Sequence, residues 1–228
     1  MSRLSSIDLF RGAEVDGARY ETRMRWRKFG QDEVLVDYDD PSTDIYFLVS
    51  GDVRVLIRTR SGKEVILGDL RSGALFGELA ALDSVPRSAN VSALTNGEAG
   101  IMSSAVFREL VFSTPVIADR MFRLLTTRVR ELDGRLMEHT VLDLRHRLYA
   151  ELLRLSSPRL GQPIERVVSP PPFHHVLAAR IGCRREQVTR EFTTLDQEDL
   201  IERTRGALVL KRPDVLQSRV AAALREDA

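Results

Sequence analysis

The sequence predicts an α+β protein whose first half is antiparallel β structure and whose second half is mainly helical. Short β-rich segments alternate with turns as far as about residue 102. After residue 114, apolar residues recur every three or four positions, and the C-terminal part contains two short helix patterns and a strand pair. The 228 residues are enough for two modest domains.

The composition narrows the classes of protein to consider. Hydrophobic residues make up 43% and charged residues 29%, which is typical of a folded soluble chain. No apolar run approaches the ~20 residues that span a bilayer, and no long apolar segment opens the chain, so we expect a cytoplasmic protein without a membrane partner. Cys183 is the single cysteine, which excludes internal disulfides and multi-cysteine metal sites. Because the net charge is +1, nucleic-acid binding would need a local basic patch.

Six segments in the first half have strand character. They lie at 33–36, 44–49, 53–58, 64–67, 90–94 and 99–102. Residues 53–58 alternate in and out as a half-buried strand does, and turns at 50–52 and 61–63 separate them from their neighbours. Many short strands at this spacing predict an antiparallel sandwich or barrel.

A helical region follows the strands. Ser104 could cap a short helix through Val111, and Thr114-Pro115 is a good start for a long helix that runs to about Glu138. Its apolar positions form a heptad seam: Phe122, Leu125, Val129, Leu132 and Leu136. The seam favours pairing with an identical helix, although a single core helix would give a similar stripe. A further amphipathic helix is expected over 143–155, with Asp143 as its cap.

The segment around Gly77-Glu78-Leu79-Ala80 and Pro86-Arg87-Ser88-Ala89 has the residues that a cyclic ribose phosphate requires. Arg87 can bind a phosphate with two donors, and backbone amides in a tight turn can add more. Small residues such as Gly77 let the backbone approach closely. The Glu78 carboxylate can accept from a ribose hydroxyl. A solvated loop is the plain alternative.

This segment resembles the phosphate-binding cassette of cyclic-nucleotide-binding domains, including those of the cyclic-AMP receptor and fumarate–nitrate regulator family. The resemblance implies that Glu78 takes the ribose hydroxyl and that Arg87 and Ser88 take the cyclic phosphate. It also implies that backbone amides of Gly77, Leu79 and Ala89 assist.

Residues 176–190 have the pattern of a helix-turn-helix. Gly182 makes the turn, and Val188 and Phe192 pack the second helix inward. The residues that would face the DNA major groove are Arg184, Arg185, Glu186, Thr189 and Arg190. The segment 203–210 is typical of a β-hairpin wing, from which Arg203 and Arg205 could touch phosphate. A solvated helix with a Glu186–Arg190 ion pair is the alternative.

The second helix also resembles the recognition helix of the cyclic-AMP receptor. The resemblance implies that Arg185 and Arg190 contact guanines and Glu186 a cytosine amine in a TGTGA-like half-site. Side-chain chemistry agrees, because arginine pairs with guanine O6/N7 and glutamate accepts from cytosine N4.

The resemblance covers about residues 20–215 and implies a complete architecture. A jelly-roll-like antiparallel β-roll that binds the nucleotide would occupy 1–113, a dimerisation helix 114–139, and a winged helix-turn-helix DNA-binding domain 140–228. The implied partners are double-stranded DNA, a second copy of the chain and RNA polymerase, with the hinge near residues 140–143 as the bistable element.

The resemblance implies that the long helix reads the base of the nucleotide. Leu132-Asp133 stands at the position of the family's adjacent hydroxyl residues but carries no hydroxyl group. Leu132 cannot hydrogen-bond, whereas Asp133 can accept from adenine N6 or from guanine N1 and N2. Cyclic AMP is the first choice and cyclic GMP the competitor. A slip of one helical turn would bring Thr126-Thr127 or Thr140 into play, and Asp133 could instead be a surface carboxylate beside Arg130 or Arg135.

Other readings are less favoured. His174-His175 suggests a cap or a phosphate contact more than a metal site, because adjacent helical residues point apart. We expect structural roles for His139 and Cys183, no metal, and no enzymatic activity, since no Ser–His–Asp set, acidic pair or P-loop is present. Two alternatives stay open. One is a nucleotide-binding module that does not regulate transcription, and the other is a regulator that binds DNA constitutively or senses another effector, such as a cyclic dinucleotide.

Overall fold

The computed structural model describes residues 3–13, 17–59 and 62–226 of the chain, without the side chain of residue 226. Ser61, in the turn expected at 61–63, lies outside these residues. The chain forms two compact units, Met1–Arg128 and Val129–Ala228. Each unit has its own hydrophobic core.

The first unit contains two four-stranded antiparallel sheets. Their strands are β1 (Met24–Phe29), β2 (Val34–Val36), β3 (Ile45–Ser50), β4 (Val53–Arg58), β5 (Glu64–Leu70), β6 (Leu75–Phe76), β7 (Asn90–Ala93) and β8 (Gly97–Met102). One sheet has the order β1-β8-β3-β6 and the other β2-β7-β4-β5. The antiparallel roll expected from the sequence is confirmed.

The helices of the first unit cover the outer face of one sheet. They are α1 (Gly17–Glu21), α2 (Glu78–Asp83), α3 (Ser104–Ser113) and the beginning of α4 (Pro115–Val141). Because side chains alternate along a strand, Phe47 of β3 packs against these helices while Leu48 packs between the two sheets. The sheet carrying β3 is therefore buried on both faces.

Two strands of the first unit were not expected from the sequence. Strand β1 carries Arg25, Arg27 and Lys28, whose charge hides the alternation, and β6 is only two residues long. Both pair within the sheet that supports α2.

The long helix begins at Pro115, as predicted, and continues to Val141 instead of Glu138. A helix of 27 residues is about 40 Å long. Gly134 does not interrupt it. Helix α3 begins at Ser104, which is its first residue; the cap position belongs to Ser103.

The second unit contains the end of α4 and then, among the described residues, four further helices and four strands. Its elements are α5 (Leu144–Leu155), β9 (Ser157–Arg159), β10 (Gln162–Val168), α6 (His174–Ile181), α7 (Arg185–Gln197), β11 (Ile201–Arg203), β12 (Leu208–Leu210) and α8 (Pro213–Glu226). Asp143 caps α5 by accepting from the His146 amide at 2.9 Å, as predicted. The sheet order is β11-β12-β10-β9, so the strand pair expected at the end of the chain belongs to a larger sheet. Strands β9 and β10 and helix α8 were not predicted.

Candidate functional site

Gly77 forms the tight turn that the first candidate site requires. Its φ angle is +83°, in the left-handed region that favours glycine, and it stands immediately before α2. A Cβ atom at this position would lie 2.6 Å from Nη1 of Arg87 and 2.9 Å from the carbonyl oxygen of Asp44. The turn therefore depends on the missing side chain, and the close approach brings the two halves of the cassette together.

Arg87 is held beneath this turn by three protein acceptors. The side chain is only 4% exposed. It donates to the carbonyls of Asp44 at 2.7 Å and Gly77 at 3.2 Å, and to Oγ of Ser42 at 3.2 Å. The guanidinium also lies 5.8 Å from the centroid of the Tyr46 ring. The position of the guanidinium is thus fixed by the fold, and its remaining N–H groups can serve a ligand.

Glu78 is a buried carboxylate at the first position of α2, with 4% exposure. Arg128 of α4 donates to it through Nη1 and to the carbonyl of Leu75 through Nη2 at 3.1 Å. A buried carboxylate needs such a partner, because an unpaired charge in this position would be costly. Arg128 therefore belongs to the site although the sequence analysis missed it.

The remaining cassette residues differ in how far their side chains are exposed. The Leu79 and Ser88 side chains are exposed, whereas Ala80 and Ala89 are buried. Ala80 can thus contribute only through its backbone, as can Ala89. The segment before β3 lies against this loop, because the backbone amide of Arg87 donates to the carbonyl oxygen of Asp40 at 3.0 Å. Donation by the hydroxyl and amide of Ser42 holds the pKa of the nearby Asp40 below its usual range.

The apolar seam of α4 is largely exposed. Phe122 is 66% exposed and Leu136 is 68% exposed. Val129 and Leu132, which lie between them in the sequence, each have more than half of their surface exposed. Leu125 packs partly against the core of the first unit. Asp133, next to Leu132, is also exposed. A stripe of this kind is typical of a helix that pairs with another helix.

The second candidate site is the helix pair α6–α7. Gly182 ends α6 with φ +70° and donates to the carbonyl of Ala178. Helix α7 buries Val188, Phe192 and Leu195. The residues expected to face DNA are exposed: Arg184, Arg185, Glu186, Thr189 and Arg190. This geometry is that of a helix-turn-helix.

The charged residues of α7 are not engaged with one another. Among the described residues, no ion pair joins Glu186 to Arg190, which was the plain alternative for this helix. Arg184 precedes the helix, and its backbone amide donates to the Gln187 side chain at 3.0 Å. The wing follows as β11 and β12, with Arg203 and Arg205 exposed. The Arg203 guanidinium lies 5.1 Å from the centroid of the Phe192 ring.

A buried polar network lies behind the helix-turn-helix and was not predicted. The Tyr149 hydroxyl donates to Glu191 at 2.6 Å, and Glu191 also accepts from Nε of Arg145 at 3.3 Å. Burial and the bond to Glu191 raise the pKa of Tyr149 far above its usual range. Arg180 donates to the buried Glu151 at 3.1 Å. These pairs fix α5 against α6 and α7.

His139 and Cys183 both contact other residues of the second unit. Arg147 lies 2.9 Å from Nδ1 of His139, and Cys183 packs partly against the core of the second unit. No group of three or more potential ligands in the described part of the chain could hold a metal ion. Among the helices that the structure describes, none is long and apolar enough to cross a bilayer.

Comparison with known families gives one match in each half of the chain. The cyclic nucleotide-binding domain family matches residues 26–114, and the Crp-like helix-turn-helix domain family matches residues 146–219. The chain is 29% identical to the cyclic AMP receptor protein of Thermus thermophilus over 191 residues, which is 84% of this chain and 86% of the relative. It is also 29% identical to the cAMP-activated global transcriptional regulator CRP of Salmonella typhimurium over 175 residues, 76% of this chain and 83% of the relative.

Solved structures support the same fold. A CooA mutant from Carboxydothermus hydrogenoformans superimposes with a TM-score of 0.78 at 18% identity, covering 94% of this chain and 95% of that one. The c-di-GMP responsive global regulator CLP of Xanthomonas campestris gives a TM-score of 0.70 at 22% identity, covering 85% and 96%.

A cyclic-nucleotide-binding domain joined to a helix-turn-helix defines a class of transcription regulators. This chain belongs to the cyclic-AMP receptor and fumarate–nitrate regulator family, as the resemblance of its motifs predicted.

Proposed function

We propose that the chain is a cyclic-nucleotide-responsive transcription regulator that binds cyclic AMP in the β-roll and a palindromic TGTGA-like DNA site as a homodimer. Residues 1–113 would hold the ligand, 114–139 the dimer seam and 140–228 the DNA-binding surface. Such a regulator works in the cytoplasm and has no catalytic step. The observation that carries the proposal is the placement of Arg87 and Glu78 around the Gly77 turn.

The ligand fits the chemistry of the cassette. Arg87 would bind the cyclic phosphate together with Ser88 and the backbone amides of Gly77, Leu79 and Ala89. The Glu78 carboxylate would accept from the ribose hydroxyl while Arg128 balances its charge. Leu79 and Ala80 shape the turn. With two arginines and one buried glutamate, the site complements a ligand that carries a single negative charge.

The base would meet the long helix at Leu132 and Asp133. Both side chains are exposed and so are available to a ligand or to a second copy of the chain. Cyclic AMP is our first assignment, and cyclic GMP is the competitor because Asp133 accepts from either base.

Two further alternatives have specific support. One is a different effector, because the similar regulator CLP is described as c-di-GMP responsive. The other is constitutive DNA binding, in which the Glu78–Arg128 pair serves only to close the cassette.

DNA recognition would use the exposed face of α7. We propose that Arg185 and Arg190 pair with guanines, Glu186 with a cytosine amine, and Arg184 and Thr189 with neighbouring groups. Arg203 and Arg205 of the wing would contact phosphates. In a dimer, two such helices must lie about 34 Å apart to enter successive turns of the major groove.

Gating requires that the ligand prefer one state of the protein. A ligand shifts an equilibrium only by its differential affinity for the two states. The hinge at 140–143 would be the element that changes. RNA polymerase is the proposed protein partner.

A thermal-shift panel of cyclic AMP, cyclic GMP and cyclic di-GMP tests the ligand assignment. At 100 times its dissociation constant, a ligand adds ~2.7 kcal/mol to the unfolding free energy. Arg87→Gln should abolish the increment that cyclic AMP produces. The matched control Arg58→Gln, in the exposed Arg58–Glu64 pair of the same unit, should retain it. Equal increments in both variants would refute the role of Arg87, and no increment from any nucleotide in the unaltered protein would refute the proposed ligand class.

A further inference from the structure

His174 lines a cavity of about 160 Å³ between the helix-turn-helix and the wing. The cavity is half open to solvent and is lined by residues from the segment before α6, from the first position of α6, from α7 and from both wing strands. Its lining includes Pro172, His174, Phe192, Arg203, Thr204 and Leu208. His174 is half-buried, and Arg203 is exposed. The cavity therefore adjoins the surface assigned above to DNA.

Nδ1 of His174 lies within hydrogen-bond distance of the Thr189 hydroxyl. The distance from Nδ1 to Oγ1 is 2.8 Å, and the same hydroxyl oxygen lies 3.1 Å from the carbonyl oxygen of Arg185. The one hydroxyl hydrogen serves one of these two acceptors. Once the ring is protonated, both ring nitrogens carry hydrogen, so Nδ1 donates to Thr189 and Nε2 is a second donor.

The surroundings of His174 are cationic. The charged groups that face it are Arg185 of α7 and Arg203 of β11. Its ring packs against Phe192 with a centroid distance of 4.6 Å. None of the described residues that line the cavity carries a carboxylate. A cavity with this lining is suited to an anion.

Burial, and then the charges of Arg203 and Arg185, hold the pKa of His174 below its usual value. The ring is therefore neutral near pH 7 when no anion is close. An anion placed against it would reverse the unfavourable charge interactions and stabilise the protonated ring.

We propose that His174 is a proton-linked contact for a backbone phosphate of DNA, which enters the cavity between α7 and the wing beside Arg203. A proton from solvent converts the His174 ring to the imidazolium form, in which the Nε2–H group donates to a phosphate oxygen. Nδ1–H donates to Thr189, so the same ring positions the recognition helix. This inference rests on the proposed DNA binding and deepens it.

The sign of the pH effect follows from linkage. The bound phosphate raises the pKa of His174 relative to the free protein, so DNA binding takes up protons. DNA affinity must then rise as the pH falls through the range between the two pKa values. Because at most one proton is linked at this residue, Kd can change by no more than tenfold per pH unit.

The experiment measures Kd for a palindromic TGTGA-type duplex at about pH 8 and about pH 6, at constant salt and saturating cyclic AMP. The unaltered protein should bind about three- to tenfold more tightly at the lower pH. His174→Gln, which cannot titrate, should lose most of this gain. His174→Arg, which carries a permanent charge, should bind tightly at both pH values. The matched control is His175→Gln, an exposed histidine at the adjacent position that stacks on Phe173.

A second measurement uses only the unaltered protein and so does not depend on the folding of a variant. The ring signals of His174, followed by NMR against pH, should give a higher pKa with the duplex than without it. Inorganic phosphate alone should produce a much smaller rise. An equal rise with inorganic phosphate would identify a site for free anions and overturn the proposal.

The outcomes separate this inference from the proposed function. A protein that binds the duplex with the same pH dependence in His174→Gln as in the unaltered chain contradicts the role of His174 alone. Loss of the pH dependence in His175→Gln would contradict it as well. A protein that binds no duplex at either pH contradicts the proposed function instead.

Discussion

Arg128 of α4 donates to the buried carboxylate of Glu78 at the first position of α2. The pair joins the long helix to the cassette within the first unit. The side chain of Arg128 is 31% exposed, whereas that of Glu78 is only 5% exposed. The contact thus links the long helix to the carboxylate that we propose as a ligand contact.

Arg128→Gln should weaken both the fold and the binding of the nucleotide. Removal of one partner from a buried ion pair costs about 3–5 kcal/mol, and the partial exposure of Arg128 brings the expected loss to about 2–4 kcal/mol. The increment in unfolding free energy given by cyclic AMP should also fall, because Glu78 is no longer held. Denaturant titration with and without nucleotide measures both effects.

Arg123→Gln is the control for this substitution. Arg123 lies on the same helix and pairs with Asp119 at 2.8 Å, but both side chains are mostly exposed. Its loss should cost about 0–1 kcal/mol and leave the nucleotide increment intact. If Arg128→Gln behaves like Arg123→Gln, the Glu78 pair has no special role.

Gly77→Ala should remove nucleotide binding. The added methyl would collide with Arg87 and with the Asp44 carbonyl in a backbone conformation that side chains disfavour. Isothermal titration with cyclic AMP should show at least about a hundredfold weaker affinity, equivalent to about 2.7 kcal/mol.

Gly134→Ala tests the same change where space is open. Gly134 lies inside α4 with nothing within 4 Å of the added Cβ. Alanine should stabilise the helix by about 0.5–1 kcal/mol without affecting the cassette. Unchanged cyclic AMP affinity in Gly77→Ala would mean that the turn does not form the binding site.

Leu136→Glu should dissociate the proposed dimer. Leu136 is exposed at a seam position, where a charge cannot be buried against a partner helix. Sedimentation should show a shift from dimer to monomer with a dissociation constant raised at least about tenfold. Thr127→Glu adds the same charge to an exposed position of α4 away from the seam and should leave the dimer intact. Dissociation by both variants, or by neither, would place the interface elsewhere.

His139 should make stability depend on pH. Burial, and then the charge of Arg147, lowers its pKa in the folded protein, while the nearby Glu138 opposes the shift. The unfolded chain therefore takes up a proton first as the pH falls through about 6.5, and the folded state loses stability there. Urea midpoints at about pH 7.5 and about pH 5.5 should differ less in His139→Gln than in the unaltered protein.

His175→Gln is the control for the pH experiment, because His175 stacks on Phe173, whereas His139 lies beside Arg147. It should show the same fall in stability as the unaltered chain. An undiminished fall in His139→Gln would assign the effect to other groups.

The cassette was predictable because its two halves are short and carry distinctive residue types. Chemistry and the family resemblance together indicated that Gly77, Glu78 and Arg87 belong to one site, and their roles toward a ligand stay predictions. Arg128 could not, because it lies 50 residues beyond Glu78 and nothing in the sequence separates it from the other arginines of α4. Only the folded chain brings it to the carboxylate.

The strands and helices that were missed have a common cause. Strand β1 is rich in arginine and β6 is very short, so neither gives a clear period-two pattern. Strand β9 contains Pro158 and is separated from β10 by a turn that contains Gly161, and both residue types are more typical of turns than of strands. Strand β10 pairs with β12, which is a tertiary contact, and β9 in turn pairs with β10.

The nucleotide dependence of DNA binding tests the central claim most directly. Fluorescence anisotropy of a labelled palindromic TGTGA-type duplex, at constant salt, should be measured without nucleotide and with saturating cyclic AMP or cyclic GMP. The account predicts that cyclic AMP lowers Kd by at least about tenfold, within the usual range of allosteric coupling. A Kd that neither nucleotide changes would contradict it.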